Sequence, residues 1–530
     1  MQRLVKGVDP IVFFGSVGIS LAFSLWGVLA TESLGAVMGP TLSWFLANFG
    51  WGFILIGAGA LLLCLFFMLS PRYGSIRLGP DDSRPEFSTV SWVAMMFAAG
   101  LGLGLMFYGI SEPITHFSAP PHGEAAPQTQ EATGVALRYT YFHWGFTGWA
   151  LYAVVGLALA YWAFRRNTCT NLVSGTLIPL LGPRASESAI GRTVDMLAIF
   201  ATLFGTATSL GLGALQINSG LSFLTPLPTS TTVAIVIIAI ITVLFVFSAV
   251  SGVERGVQFL GNLNGALTIA LMVFFFVVGP TVLIMSTAIE TIGAYIIQVI
   301  PMSFTTGVGG DEQWMASWTI FYWAWWISWA PFVGTFVARI SRGRTIREFV
   351  VGVVAAPTGM GFIWFAIVGT AGIDLQTTGR ADLIGTVATP ELSLFVALQA
   401  LPLTTIVSAV SVFVIALFFV SGADAASVVM STMASRGALE PPKVVTAILG
   451  TLMGVIASAL LLVGGLTGLQ QGAVLASVPF TVVIVLVAWC LVKALREDVA
   501  TVRPVVTAPP ETIAVRPVAV AAADVDEPRQ

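Results

Sequence analysis

Residues 317–343 read SWTIFYWAWWISWAPFVGTFVARISRG. Trp318, Trp323, Trp325, Trp326 and Trp329 fall within twelve residues, a third of the chain's fifteen tryptophans, just ahead of Pro331. Leu and Val fill a core without polar atoms, whereas every buried indole N–H needs a partner. Five indoles in one apolar run therefore read as a binding wall for a cation rather than as filler.

Composition places that wall in a membrane. The 530 residues are 56% hydrophobic and 9% charged, with mean hydropathy +0.92, where globular domains carry about a quarter charged residues. Apolar runs long enough to cross a bilayer recur along nearly the whole chain and leave no room for a soluble domain. They predict an all-α membrane protein of twelve spans, near 11–31, 46–70, 90–112, 136–164, 193–221, 230–252, 262–287, 316–340, 346–372, 404–434, 443–466 and 472–495. No ten-residue segments of alternating polarity occur, which excludes a β-barrel.

Positive charge is retained in cytoplasmic loops. With the N-terminus inside, twenty-one of the twenty-three Lys and Arg fall in cytoplasmic segments, and only Arg138 and Arg380 fall outside. One missed span would invert every later loop, so this agreement tests the span count too. Both termini are expected in the cytoplasm of a multi-pass plasma-membrane protein. Val28-Leu29-Ala30 loosely resembles a signal cleavage site, but the run is long for a signal segment and the loop charges are consistent with the first span being retained. Cys64, Cys169 and Cys490 lack paired spacing, so no disulfide framework is expected. His116, His122 and His143 read as ordinary loop or interface residues. No cofactor and no bound metal centre is expected.

Two spans are expected to break in mid-membrane. Gly100, Gly102 and Gly104 alternate in the third span, share no helical face, and weaken the helix. Pro331 in the eighth removes a backbone donor. The two breaks are five spans apart, so spans 3–7 and 8–12 form a pair of inverted five-helix repeats, the pattern of a secondary transporter with a midplane site. The domain reading follows: a twelve-helix unit over 1–495, with peripheral spans in 1–89, a first repeat in 90–287, an external interfacial segment in 288–315 and a second repeat in 316–495. A disordered cytoplasmic tail covers 496–530, with four Arg against six acidic residues, which is unlike a polybasic lipid switch.

At 100° per residue, Trp318, Tyr322, Trp325, Trp329, Phe332 and Phe336 share one stripe, flanked by Trp326. HWGFTGWALY in the fourth span adds Trp144, Trp149 and Tyr152. Trp149, Tyr152 and Trp325 to Trp329 fall near mid-bilayer, where an interfacial aromatic belt does not reach. A box of π-faces there holds a methylated ammonium at about 0.5–2 kcal/mol per face without placing a fixed charge in hydrocarbon. Freed N–H groups at Gly100, Gly102 and Gly104 offer a place for a carboxylate, so a zwitterion fits both halves.

The chain resembles the betaine/choline/carnitine transporter family over essentially all twelve spans. The motifs that carry the resemblance are WTIFYWAWWISWAPFVGTFVARISRGRTIREF (318–349), GLGLGLMFYGISEP (100–113), HWGFTGWALYAVVG (143–156) and FGTATSLGLGALQI (204–217). It implies that Trp144, Trp149, Tyr152, Trp325, Trp326 and Trp329 form the substrate box, within a fold like that of the neurotransmitter:sodium symporters. It also implies a homotrimer and compatible-solute uptake, with glycine betaine as the expected solute. It further implies one sodium site at Thr202 and Thr206 with Phe332. A second would use carbonyls of Ala98 and Leu101 with Phe418 and Ser421; Gly422 lacks the hydroxyl that sodium users often carry there. Asp424 is expected to form a cytoplasmic gate pair with Arg339. Choline carriers often have Asp where this chain has Gly104, which favours substrates bringing their own negative charge. A sodium-independent carnitine/precursor exchanger, a choline or ectoine carrier, and a cation channel remain as alternatives. Paired carboxylates, a nucleophile elbow and metal-spaced ligands are missing from the spans, so enzyme chemistry is not expected. Nor is nucleic acid a partner.

Overall fold

The computed structural model describes residues 7–100, 102–168, 171–251 and 254–501. Among them the secondary structure is helical throughout, apart from one isolated antiparallel bridge between Arg77 and Thr345. Among the described residues, ten helices are long and apolar enough to cross a membrane. Their ends carry ordinary caps: Asp9 accepts from the N–H groups of Ile11 and Val12 ahead of Pro10–Leu29, Ser188 caps Ala189–Leu224, and Thr345 with Glu348 closes a capping box on Ile346–Thr377.

Burial separates centre from rim. The most apolar windows of Gln130–Arg165 and Ala189–Leu224 are 89% and 83% buried, against 33% for Thr231–Ser251, 22% for Leu260–Val278 and 28% for Thr281–Met302. The tryptophan helix Phe321–Arg339 and the helix Leu103–Ser118 complete the buried centre. Glycine lets two of these approach closely. A Cβ on Gly156 would lie 3.1 Å from the Gly334 carbonyl, and one on Gly334 would lie 3.1 Å from the Gly156 amide. One on Gly148 would collide with the Trp326 indole. Contacts 148 to 326 and 156 to 334 advance together, so Phe146–Ala160 and Phe321–Arg339 run parallel. Leu103–Ser118 likewise runs parallel to Ala189–Leu224, where Leu103 meets Gly213 and Gln216 Nε2 donates to Met106 O at 2.8 Å. It also runs parallel to Ile346–Thr377, where Trp364 Nε1 donates to Leu105 O at 3.0 Å and Ile110 meets Gly372.

Several boundaries differ from those read in the sequence. The third span does break: one helix ends at Gly100 and the next starts at Leu103, with Gly102 extended at φ −140°, ψ 172°. The eighth does not, because Phe321–Arg339 continues through Pro331; a proline removes a single donor, and the buried surroundings hold the rest of the ladder. The fourth span breaks instead, at Gly145 between Gln130–Trp144 and Phe146–Ala160. A Cβ there would press on Tyr141 O and the Tyr295 hydroxyl, and that hydroxyl accepts from the freed Phe146 N–H at 3.0 Å. Glu254–Val278 and Thr281–Met302 are separate helices where one span over 262–287 was expected, since Pro280 follows Gly279. Thr31–Leu69 is a single 39-residue helix, about 58 Å long and longer than the roughly 30 Å hydrocarbon core. The last helical stretch, Lys443–Thr501, bends at Gly464 and Gly465 (φ 56°), where two spans were predicted to meet. It also passes the expected domain end at 495: Asp498 pairs with Arg165 at 3.2 Å.

One end of the bundle is rich in arginine and tightly tied. Leu78 N donates to Arg344 O and Gly343 N to Leu78 O, both at 2.8 Å, while the Arg344 guanidinium stacks 4.1 Å from the Trp92 ring.

Candidate substrate site

The helix that starts at Leu103 brings Gly104 beneath two indoles. A Cβ on Gly104 would lie 2.5 Å from Trp144 Cη2 and 2.9 Å from Trp325 Cη2. Those rings meet each other edge to face at 6.0 Å, and Trp144 meets Trp326 at 6.1 Å. Trp326 in turn packs on Trp149 at 5.4 Å and Tyr152 at 4.8 Å, over the groove left by Gly148. The break at Gly145 makes this possible, because it reorients the chain between Trp144 and Trp149, which an unbroken helix would hold in fixed register.

Three of the indole N–H groups are aimed by a neighbour. Trp326 Nε1 donates to His143 O at 3.0 Å, Trp325 Nε1 to Gly205 O at 3.4 Å and Trp144 Nε1 to Glu112 Oε2 at 2.9 Å. Trp323 points away from the group, fully buried against Phe142. Trp329 lies further along its helix, packed on Phe332 at 5.5 Å and close to Gly205, and its Nε1 has no partner. Trp144, Trp149, Tyr152, Trp325, Trp326 and Gly104 thus converge. Gly102 does not join the ring contacts, as nothing lies within 4 Å of its Cβ position. The side-chain surroundings of Ala98 and Gly100, and Leu101 altogether, lie outside the described residues.

Tyr108, Glu112 and His143 join this cluster and were not picked out as site residues in the sequence, where Tyr322, which joins it too, was read only as part of the aromatic stripe. Tyr108 meets Tyr322 at 5.6 Å and Trp325 at 6.1 Å. The Glu112 carboxylate, 0% exposed, has His143 Nδ1 at 2.6 Å and accepts from Trp144 Nε1 and the Tyr322 hydroxyl. His116 Nε2 lies 3.5 Å from it. His116 and His143 are fully buried, which corrects their reading as loop or interface residues; the i, i+4 pair Glu112 and His116 was the available signal. Glu112, His116 and His143 bring ligand-type atoms within 4.8 Å of one another. With His143 Nδ1 at 2.6 Å from Oε1 they form a hydrogen-bond network, since two ligands about 2.0–2.1 Å from a shared ion stand further apart.

Of the expected sodium ligands, Thr202 Oγ1 donates to Ala198 O at 2.8 Å within its own helix. Thr206 Oγ1 is buried without a partner, one turn away on the same face. Phe332 packs on Trp329 at 5.5 Å, and Ser421 Oγ donates to Phe418 O at 3.4 Å. The gate pair is not formed. Asp424 accepts from Ser248 Oγ at 2.9 Å and is in no salt bridge among the described residues. Arg339 instead lines, with Thr335, Arg342, Glu86, Phe164 and Asn171, a cavity of about 280 Å³ at the arginine-rich end.

Many buried apolar helices around a cage of aromatic rings define a multi-pass membrane transporter. A betaine/carnitine/choline family transporter (BCCT) domain matches residues 11–500, and the chain belongs to that family. It is 44% identical over 490 residues to the glycine betaine transporter OpuD of Bacillus subtilis, covering 92% of this chain and 94% of that one. It is 42% identical over 511 residues to the betaine/ectoine transporter LcoP of Corynebacterium glutamicum, with 95% and 80% covered. The ectoine/hydroxyectoine transporter of Virgibacillus pantothenticus is 37% identical over 478 residues, with 90% and 94% covered.

Proposed function

We propose that this protein imports glycine betaine, or a closely related zwitterionic onium solute, by sodium symport with alternating access. The observation that carries the reading is the convergence of Trp144, Trp325 and Trp326 over Gly104, with Trp149 and Tyr152 behind Trp326. Aromatic faces attract a quaternary nitrogen that donates no hydrogen bond, and the rings close on Gly104 so tightly that an acidic side chain there would displace them. The printed names of the glycine betaine relatives agree. Ectoine is the second reading, favoured by two relatives that carry it in name.

Twelve crossings with both termini cytoplasmic are part of the proposal. Ala189–Leu224 and Ile346–Thr377 both run parallel to Leu103–Ser118, so an odd number of crossings lies between them. Four long helices intervene, and one therefore does not cross. Thr281–Met302, after the Gly279-Pro280 corner, is the one that falls in the expected external interfacial segment. Counting the broken helix 89–118, the tryptophan helix and the two halves of Lys443–Thr501 restores the number that the Lys/Arg distribution requires. Inverted repeats and a homotrimer extend the reading on family resemblance. For sodium, the unpartnered Thr206 hydroxyl is the supporting feature.

The decisive experiment is isotope uptake into proteoliposomes, comparing betaine, choline, carnitine and ectoine with and without a sodium gradient. Betaine accumulation that requires the gradient is the expected result. Counterflow at full rate without sodium would overturn symport, and ectoine uptake without betaine uptake would overturn the substrate.

A further inference from the structure

Glu112 is a fully buried carboxylate in the helix Leu103–Ser118, and among the described residues its ion-pair neighbours are two histidines, with no Lys or Arg. A carboxylate removed from water costs several kcal/mol unless donors replace its hydration. Here the donors come from two other helices, Gln130–Trp144 and Phe321–Arg339. His143 Nδ1 stands 2.6 Å from Oε1, Trp144 Nε1 donates to Oε2 at 2.9 Å and the Tyr322 hydroxyl reaches Oε2 as well, with His116 Nε2 3.5 Å from Oε1. An indole N–H only donates, so Oε2 is an acceptor, and the donor set suits an ionised carboxylate. His143 is fixed from behind by Thr319 Oγ1 at 3.0 Å.

Two of those donors are walls of the aromatic site. The Trp144 ring meets Trp325 and Trp326, and the Tyr322 ring meets Trp144 at 5.4 Å and Tyr108 at 5.6 Å. A hydrogen bond from an indole or phenol to a carboxylate fixes the plane of the ring. It also moves electron density toward the π-face, which strengthens the face's attraction for a cation. The negative charge itself adds a field of the same sign in a region of low dielectric.

We propose that Glu112 is a positioning and specificity-determining residue: an anionic charge behind the aromatic wall that, through Trp144 and Tyr322, makes the site prefer a positively charged nitrogen over a neutral group of the same shape. This rests on the aromatic cluster being the substrate site. It assigns to one carboxylate both the orientation of two rings and the discrimination of charge, without the carboxylate touching the solute.

The test separates charge from shape. Glycine betaine and its carbon isostere 3,3-dimethylbutanoate have the same outline and the same carboxylate, and differ in the charge at the branched centre. The ratio of their inhibition constants against labelled betaine uptake measures charge preference, while a general structural defect lowers Vmax and moves both constants together. Glu112→Gln keeps the volume and one acceptor oxygen; the ratio is expected to fall about tenfold. Tyr322→Phe keeps the ring and removes one donor, and is expected to shift the ratio about threefold in the same direction; it decides the matter if Glu112→Gln is not recovered folded. Trp326→Leu serves as the control for the site. If Trp326→Leu weakens betaine uptake while both other variants keep the wild-type ratio, Glu112 has no such role and the aromatic site stands. If Trp326→Leu leaves the betaine KM unchanged, the site itself is misplaced and the role of Glu112 falls with it.

Discussion

Replacing Gly104 by Ala adds one methyl group at the floor of the aromatic site. Its Cβ would stand 2.5 Å from Trp144 Cη2 and 2.9 Å from Trp325 Cη2. Ordinary contact begins at 3.4 Å, so the two rings must retreat by about 0.9 and 0.5 Å. Neither is free to do so. Trp144 is tethered through Nε1 to Glu112 and backed by Phe365 at 5.5 Å, and Trp325 lies stacked on Phe321 at 5.7 Å. Overpacking of this kind costs about 1–3 kcal/mol, and Ala in the first turn of a helix is otherwise favourable. If the strain falls on the ring arrangement that binds solute, KM for betaine uptake rises about 5- to 150-fold, with the protein still folded. Gly102→Ala is the matched comparison, because its φ of −140° suits any residue, its Cβ position is open and its N–H is retained. Uptake kinetics of both variants in proteoliposomes check the prediction. Equal KM values would mean that the rings over Gly104 do not hold the solute.

Trp325→Leu is expected to raise KM about tenfold or more by removing one π-face beside Trp144, whereas Trp314→Leu, in a cluster with His116, His122 and Tyr139, changes it little; concentration-dependent uptake distinguishes them, and equal effects would displace the site. Thr206→Val, which deletes an unpartnered hydroxyl, is expected to raise the half-saturating sodium concentration several-fold, while Thr202→Val, whose hydroxyl already bonds Ala198 O, moves it less; sodium titration of uptake reads the difference. Asp424→Asn keeps an acceptor for Ser248 and is expected to leave betaine transport within about twofold; a large loss of transport would restore a gating charge at that position.

Some of the site was legible in the chain itself because its signals are local. Alternating glycines at 100, 102 and 104 announced a helix break, and one occurs there. The indole density in 318–329 announced a wall. Pro331 misled, because a missing donor breaks a helix only where nothing else holds the turn, and this helix is enclosed by its neighbours. Gly145 gave no warning, since one glycine in an apolar run is common; its break is decided by Tyr295, about 150 residues away, whose hydroxyl takes the freed N–H. Glu112 was quoted within a motif and passed over, because a carboxylate is recognised as buried and satisfied only when donors at positions 143, 144 and 322 are seen to reach it.

By itself the sequence determined that this is a membrane-spanning helical protein and where its indoles are concentrated, since hydropathy and helical periodicity belong to neighbouring residues. Which rings face one another, which carboxylate lies behind them and which charge pairs fail to form were decided by the tertiary structure. Those contacts depend on how closely glycines such as Gly148, Gly156 and Gly334 let separate helices approach, and no local pattern encodes that distance.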